Sequence, residues 1–115
     1  NEIDKLTQAL NILPPKISFY QTNSETDYLN KLSNHPYDAI IVNPGAWSHT
    51  SIALADRLVA LNIPYIEVHL SNLSRREDYR KKSFLSKHAQ GVIYGLGFDS
   101  YLAAIFCILK NLTVD

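Results

Sequence analysis

Asp38-Ala39-Ile40-Ile41-Val42 is the stretch that most narrows what this chain can become. Its apolar residues are consecutive rather than alternating, and three of them are β-branched. A strand of this kind has both faces buried, as happens when helices cover both sides of a parallel sheet. Ile63-Pro64-Tyr65-Ile66 and Gly91-Val92-Ile93-Tyr94-Gly95 supply two more strands. The first two run into polar side chains that can handle protons. One continues as Asn43-Pro44-Gly45-Ala46-Trp47-Ser48-His49, the other as Glu67-Val68-His69-Leu70-Ser71-Asn72. Ligands of open parallel sheets bind beyond the carboxyl ends of the strands. These two ends therefore predict one polar site for a small hydroxylated or anionic molecule.

Amphipathic segments separate the strands. Asn1 to Leu10 carries Ile3, Leu6 and Leu10 at near-helical spacing, and Pro14-Pro15 is expected to stop it. Lys16 to Gln21 alternates like a short strand. Glu25 to Leu32 sets Tyr28, Leu29 and Leu32 on one helical face, and His35-Pro36 breaks it. Ser48 to Leu61 reads as a helix that Ser48 or Thr50 would cap. Pro64 to Leu70 is the next strand. Ser71 to Ser86 is a polar loop with a short helical turn near Arg76 to Lys81. Ser100 to Lys110 closes as an apolar helix. The order α-β-α-β-α-β-loop-β-α predicts one α/β domain over residues 1–115, a doubly wound parallel sheet in three αβα layers. The flavodoxin-like version has strand order 2-1-3-4-5, with the chain's first strand at the centre. This chain opens on a helix and contains no methionine. A strand, and a loop after it, are therefore expected before Asn1 in the parent protein.

Eleven basic residues balance eleven acidic ones, which argues against a nucleic-acid partner, because such binders need a basic face. No apolar run is long enough to span a bilayer, so no membrane association is expected. The single cysteine, Cys107, lies in an apolar helix and reads as a buried, inert thiol. No signal peptide is visible, and a cytosolic setting is expected.

Glu67 and His69 are two residues apart on a strand and so share a face. Glu67 can orient or charge the imidazole, and a histidine suits general acid or base work. The same spacing suits a core histidine satisfied by a buried glutamate. His49 would sit near a helix start, where free N–H groups favour anions; it also fits a surface or capping position. Asn43 ends a buried strand, where its amide can meet a ligand or bond the turn. Asp56, seven residues after His49, reads as a surface carboxylate or a partner contact. Of Arg75, Arg76 and Arg80, one reaching an anion is expected. Gly95-Leu96-Gly97 lacks the third glycine of a dinucleotide fingerprint. Trp47 suits packing or a subunit interface, and Ser51 has no nucleophile elbow around it. His49 and His69 lack the carboxylates or cysteines that would complete a metal site.

Taken together, these segments resemble the type II 3-dehydroquinate dehydratases. The resemblance runs in order through Phe19-Tyr20-Gln21-Thr22-Asn23-Ser24-Glu25, Ile40 to Ala46 with Ser48 to Ala53, and Ile66 to Asn72. It continues through Arg76-Glu77, Arg80, Ser83, Gly91-Val92-Ile93, Gly95-Leu96-Gly97 and Tyr101. It implies a flavodoxin-like hydro-lyase of shikimate synthesis or quinate breakdown, forming trimers that assemble into a dodecamer. The expected reaction removes water from 3-dehydroquinate to give 3-dehydroshikimate through an enolate, without metal or organic cofactor. By the same resemblance, His69 is the general acid, supported by Glu67. Asn43 helps bind the departing hydroxyl. The amides of Leu70 and Ser71, with the Ser71 hydroxyl, hold the substrate carboxylate. His49 and Arg80 bind ring hydroxyls, and Asp56 reaches a neighbouring subunit's site.

The family's first strand and mobile lid, with their Asn, Arg and proton-abstracting Tyr, have no counterpart in these residues. They are expected before Asn1. The competing readings are a non-catalytic flavodoxin-like module that keeps the Asn43, His49 and Ser71 pocket, and a phosphate or nucleotide binder built on Gly95-Leu96-Gly97.

Overall fold

A computed structural model describes residues 2–12, 15–34 and 36–112, with the side chains of Arg80 and Leu112 outside that description. Asn1, Pro14 and His35, which mark expected helix limits, lie outside the described residues. The regular elements are α1 (Glu2–Leu10), α2 (Glu25–Leu32), β1 (Ile40–Val42), α3 (Ile52–Leu61), β2 (Tyr65–His69), β3 (Gly91–Tyr94) and α4 (Asp99–Leu112). Short 3-10 turns occupy Gly45–His49, Leu73–Arg75, Asp78–Arg80 and Ser86–His88.

The three strands form one parallel sheet in the order β1-β2-β3. Ile40 pairs with Tyr65 and Val42 with Glu67, while Ile66 pairs with Gly91 and His69 with Tyr94. β2 is central, and all five of its residues are buried. Successive side chains of a strand alternate between faces, and the core divides accordingly. Val42 and Tyr65 pack with Leu32, Leu54, Leu58 and Leu85 on the α2/α3 side. Ile66 and Val68 pack with Ala104 on the α4 side, joined by Ile41, Ile93 and Ile108. The result is the expected three-layer arrangement. Cys107 is half-buried against the second cluster rather than fully enclosed.

Several local expectations need correction. Lys16 to Gln21 is not a strand, and the described residues hold three strands rather than four. In the order 2-1-3-4-5 this segment and β1 are separated by one strand. Among the described residues no strand pairs with the outer edge of β1, so the alternation of Lys16 to Gln21 has no ladder to join. A small cavity lies there instead, bordered by Ser18, Tyr20, Tyr28, Ile40 and Ile41. The helix expected over Ser48 to Leu61 is two pieces, the turn Gly45–His49 and α3. Its cap is Ser51, whose hydroxyl accepts the Leu54 N–H at 2.9 Å, not Ser48 or Thr50. That use explains Ser51 as a structural residue. α1 ends through Asn11, which turns left-handed at φ 54° just before the prolines. Asn62 ends α3 the same way at φ 53°. Asparagine tolerates this region better than most residues, which makes it an effective helix stop.

Leu54 is fully enclosed between α3 and the sheet. Leu54→Ala is expected to cost about 2–5 kcal/mol of unfolding free energy, the usual cost of a buried leucine cavity. Urea titration of the purified protein checks this, and a loss below about 1 kcal/mol would contradict the packing described.

Candidate active site

β2 ends where its inward side chains change from apolar to ionisable. Tyr65, Glu67 and His69 share the face toward Leu85 and α3. Glu67 is 0% exposed and His69 5%, and a carboxylate so enclosed is costly unless donors reach it. Two do. His69 Nε2 lies 2.5 Å from Glu67 Oε2. The Ser86 hydroxyl donates to Oε1 at 2.8 Å, and the Ser83 hydroxyl lies near enough to favour the charged form. Burial pushes the Glu67 carboxyl up. The bonds from His69 and Ser86, with Ser83 beside them and the charge of His69, outweigh burial and hold the group below its ordinary range. An ionised carboxylate only accepts, so Nε2 carries the hydrogen and Nδ1 takes no part in the pair.

His49 ends the 3-10 turn after β1, and its Nδ1 is 2.5 Å from the Lys82 carbonyl oxygen. A carbonyl cannot donate, so Nδ1 holds the hydrogen and the neutral ring offers Nε2 as an acceptor. Asn43 bonds its turn, with Oδ1 accepting the Gly45 N–H at 3.3 Å. Its amide also donates to the Tyr101 hydroxyl on α4 at 2.7 Å. Past β2, the His69 and Leu70 carbonyls accept the Gly95 and Gly97 N–H groups at 3.2 and 3.0 Å. Gly97 adopts φ 59°, a conformation glycine enters freely. With both glycine amides spent on carbonyls, this loop fastens β3 to β2 and leaves those amides no phosphate to cradle. Ser71 is exposed, and its hydroxyl accepts from Arg76 Nη2 at 2.9 Å. Arg76 is thus the arginine of the charged loop seen reaching a site residue. Arg80 closes the turn Asp78–Arg80, and its side chain lies outside the described residues.

Asp56 sits elsewhere, on the outer face of α3. It lines an open groove with Ile52, Val59, Phe84, Lys87 and His88. Trp47 packs edge-on against Tyr28 at 5.3 Å and an interplanar angle of 83°, which is the packing role. In the loops that follow β2 and β3, Ser71, Leu96 and Phe98 are exposed. Among the described residues no group of three or more His, Cys, Asp or Glu could hold a metal ion. No described helix is long and apolar enough to cross a membrane.

The structure adds three residues that residue-by-residue reading gave no role, Ser83, Ser86 and Tyr101, and pairs Arg76 with Ser71. Ser83 and Tyr101 fall within the motifs of the resemblance. Ser86, nineteen positions from its partner, has no signal in the sequence.

The class this chain shows is a parallel α/β sheet with a buried carboxylate–histidine pair at its carboxyl edge. The family is specific. The profile of Dehydroquinase class II matches residues 1–109, and the chain belongs to that family. It is 48% identical over 99 residues to 3-dehydroquinate dehydratase of Clostridium botulinum (strain Hall), covering 84% of this chain and 67% of that protein. It is 43% identical over 111 residues to the protein of the same name from Prochlorococcus marinus (strain NATL1A), covering 95% and 77%. The solved type II dehydroquinase of Butyrivibrio crossotus superposes with a TM-score of 0.79 at 34% identity, covering 95% of this chain and 74% of that one. That of Propionibacterium acnes gives 0.72 at 35%, covering 99% and 82%. The fold is accordingly flavodoxin-like.

Glu67 also predicts a pH dependence. Its folded pKa lies below its unfolded value. The stability it contributes is therefore complete above the unfolded carboxylate range and lost as pH falls through the folded value. Glu67→Gln removes this contribution. Thermal unfolding scanned from about pH 7 to about pH 3 should show a shallower acid decline in Glu67→Gln than in the wild type. Parallel curves would contradict the assignment.

Proposed function

We propose that the protein is a 3-dehydroquinate dehydratase, removing water from 3-dehydroquinate to give 3-dehydroshikimate through an enolate. The observation that supports this most is the Glu67–His69 pair, enclosed at the end of β2 in a chain of this family. A base takes a proton from the carbon beside the substrate ketone. The resulting enolate expels the β-hydroxyl, and the acid supplies the proton with which that group leaves as water. His69 is the acid. Its Nε2 is committed to Glu67, so the transferred proton leaves from Nδ1, and the ionised Glu67 stabilises the charged ring before transfer.

The remaining roles follow the strand ends. Asn43, tethered to Tyr101, orients the departing hydroxyl. The Leu70 and Ser71 amides and the Ser71 hydroxyl take the substrate carboxylate, with Arg76 beside them. His49 and Arg80 hold ring hydroxyls. None of the tyrosines here is assigned as the base. Burial, with Tyr101 nearby, pushes the Tyr28 phenol far above its ordinary value, and its ring packs against Trp47. The tests use the full-length protein. The groove beside Asp56 is the surface through which a neighbouring subunit would meet this one, in trimers that assemble to a dodecamer in the cytosol. Ile52 and Phe84 are 61% and 48% exposed there, an apolar cost that assembly removes.

His69→Ala in the full-length protein should lower turnover by roughly 10²–10⁴-fold, the usual contribution of a positioned acid, followed by absorbance of the conjugated product. Turnover near that of the wild type would refute the assignment. Light scattering at micromolar concentration should report a trimer-based assembly, and a monomer alone would leave Asp56 an ordinary surface carboxylate.

A further inference from the structure

Between the turn Asp78–Arg80 and the turn that opens at Ser86, the segment Lys82-Ser83-Phe84-Leu85-Ser86 touches both halves of the site. Leu85 anchors it, with its side chain fully enclosed in the core and its carbonyl accepting the Tyr65 hydroxyl. The Phe84 N–H donates to the Ser48 carbonyl at 2.8 Å. The Lys82 carbonyl takes the Nδ1 hydrogen of His49 at 2.5 Å. The Ser86 hydroxyl donates to Glu67 Oε1 at 2.8 Å, and Ser83 lies beside the same carboxylate. The Ser83 oxygen also accepts the Leu85 N–H at 3.1 Å, so its own hydrogen is free to turn to the carboxylate.

We propose that Lys82 to Ser86 is a positioning strap, in which Ser86, aided by Ser83, fixes the Glu67 carboxylate so that His69 meets the substrate through Nδ1. The same segment sets the tautomer of His49. The acid and a hydroxyl-binding ring therefore share one frame, although they follow different strands. Among the described side chains, the titratable groups facing Glu67 are His69 and Tyr65, both on β2. The strap brings only neutral hydroxyls to the carboxylate, which favour its charged form without competing for the proton. Ser86 acts through Glu67 and is a positioning residue, not a catalytic one.

The catalytic part of this inference rests on the dehydratase reading, whereas the structural part does not. The experiment uses the full-length protein as wild type, Ser86→Ala, Ser86→Thr and Ser83→Ala, with ¹³C-labelled glutamate and ¹⁵N-labelled histidine followed by NMR across pH. In Ser86→Ala the Glu67 titration should move upward, and Ser86→Thr, which keeps the hydroxyl, should restore it. Steady-state kinetics should show kcat lowered about 10-fold, the effect of losing one hydrogen bond to a charged group, with KM nearly unchanged. A folded Ser86→Ala whose Glu67 titration matches the wild type overturns the strap. If Ser86→Ala does not fold, Ser83→Ala takes its place under the same criteria. Absence of turnover in the wild type would overturn the dehydratase reading instead, and the NMR titrations would still decide the strap.

Discussion

A carboxylate sealed from water, Glu67, is the constraint around which this structure is arranged. Burying such a charge costs several kcal/mol unless its oxygens are satisfied. Here one oxygen faces His69 and the other Ser86, with Ser83 beside them. The arrangement uses the central strand, where all five residues are buried. It also requires a segment to close over that face. Leu85 supplies the apolar part of that cover and the two serines the polar part. The hydrophobic core and the charged pair are thus consequences of the same few residues.

The sheet gives each strand end a different anchor. Glu67 and His69 face the α3 layer, whereas Asn43 is held by Tyr101 on α4. The turn after β3 is bonded to the carbonyls of His69 and Leu70. Groups that could act on one ligand are therefore fixed by three separate parts of the fold. Displacing any one part would misplace its own group while leaving the other two anchored.

Much of this was legible in the chain itself. Apolar runs identified β1, β2 and β3, although only β2 is buried along its whole length, and in β3 Val92 and Tyr94 are exposed. Glu67 and His69 were legible as a pair, since a two-residue spacing places them on one face wherever the strand lies. Lys16 to Gln21 was misread because alternation describes a side-chain pattern, while a strand also needs a neighbour for its backbone. Ser51 was passed over as a cap in favour of Ser48 and Thr50, because all three are good caps and the tight turn before α3 decides between them. Asn43 and Tyr101, 58 positions apart, and Glu67 and Ser86 meet only through tertiary packing. No local pattern encodes such pairs.

The site groups share one physical logic. Each has one polar end committed to the protein, which determines what its other end can do. His69 gives Nε2 to Glu67 and keeps Nδ1. His49 gives Nδ1 to the Lys82 carbonyl and keeps Nε2 as an acceptor in its neutral form. Ser71 accepts from Arg76 and so keeps its own hydrogen outside that bond. These polar groups are in this way oriented before any ligand arrives. Such preorganisation matters because groups already oriented need no rearrangement as charge develops in a transition state. The commitments made inside the protein are thus what give the exposed faces of these side chains their chemical direction.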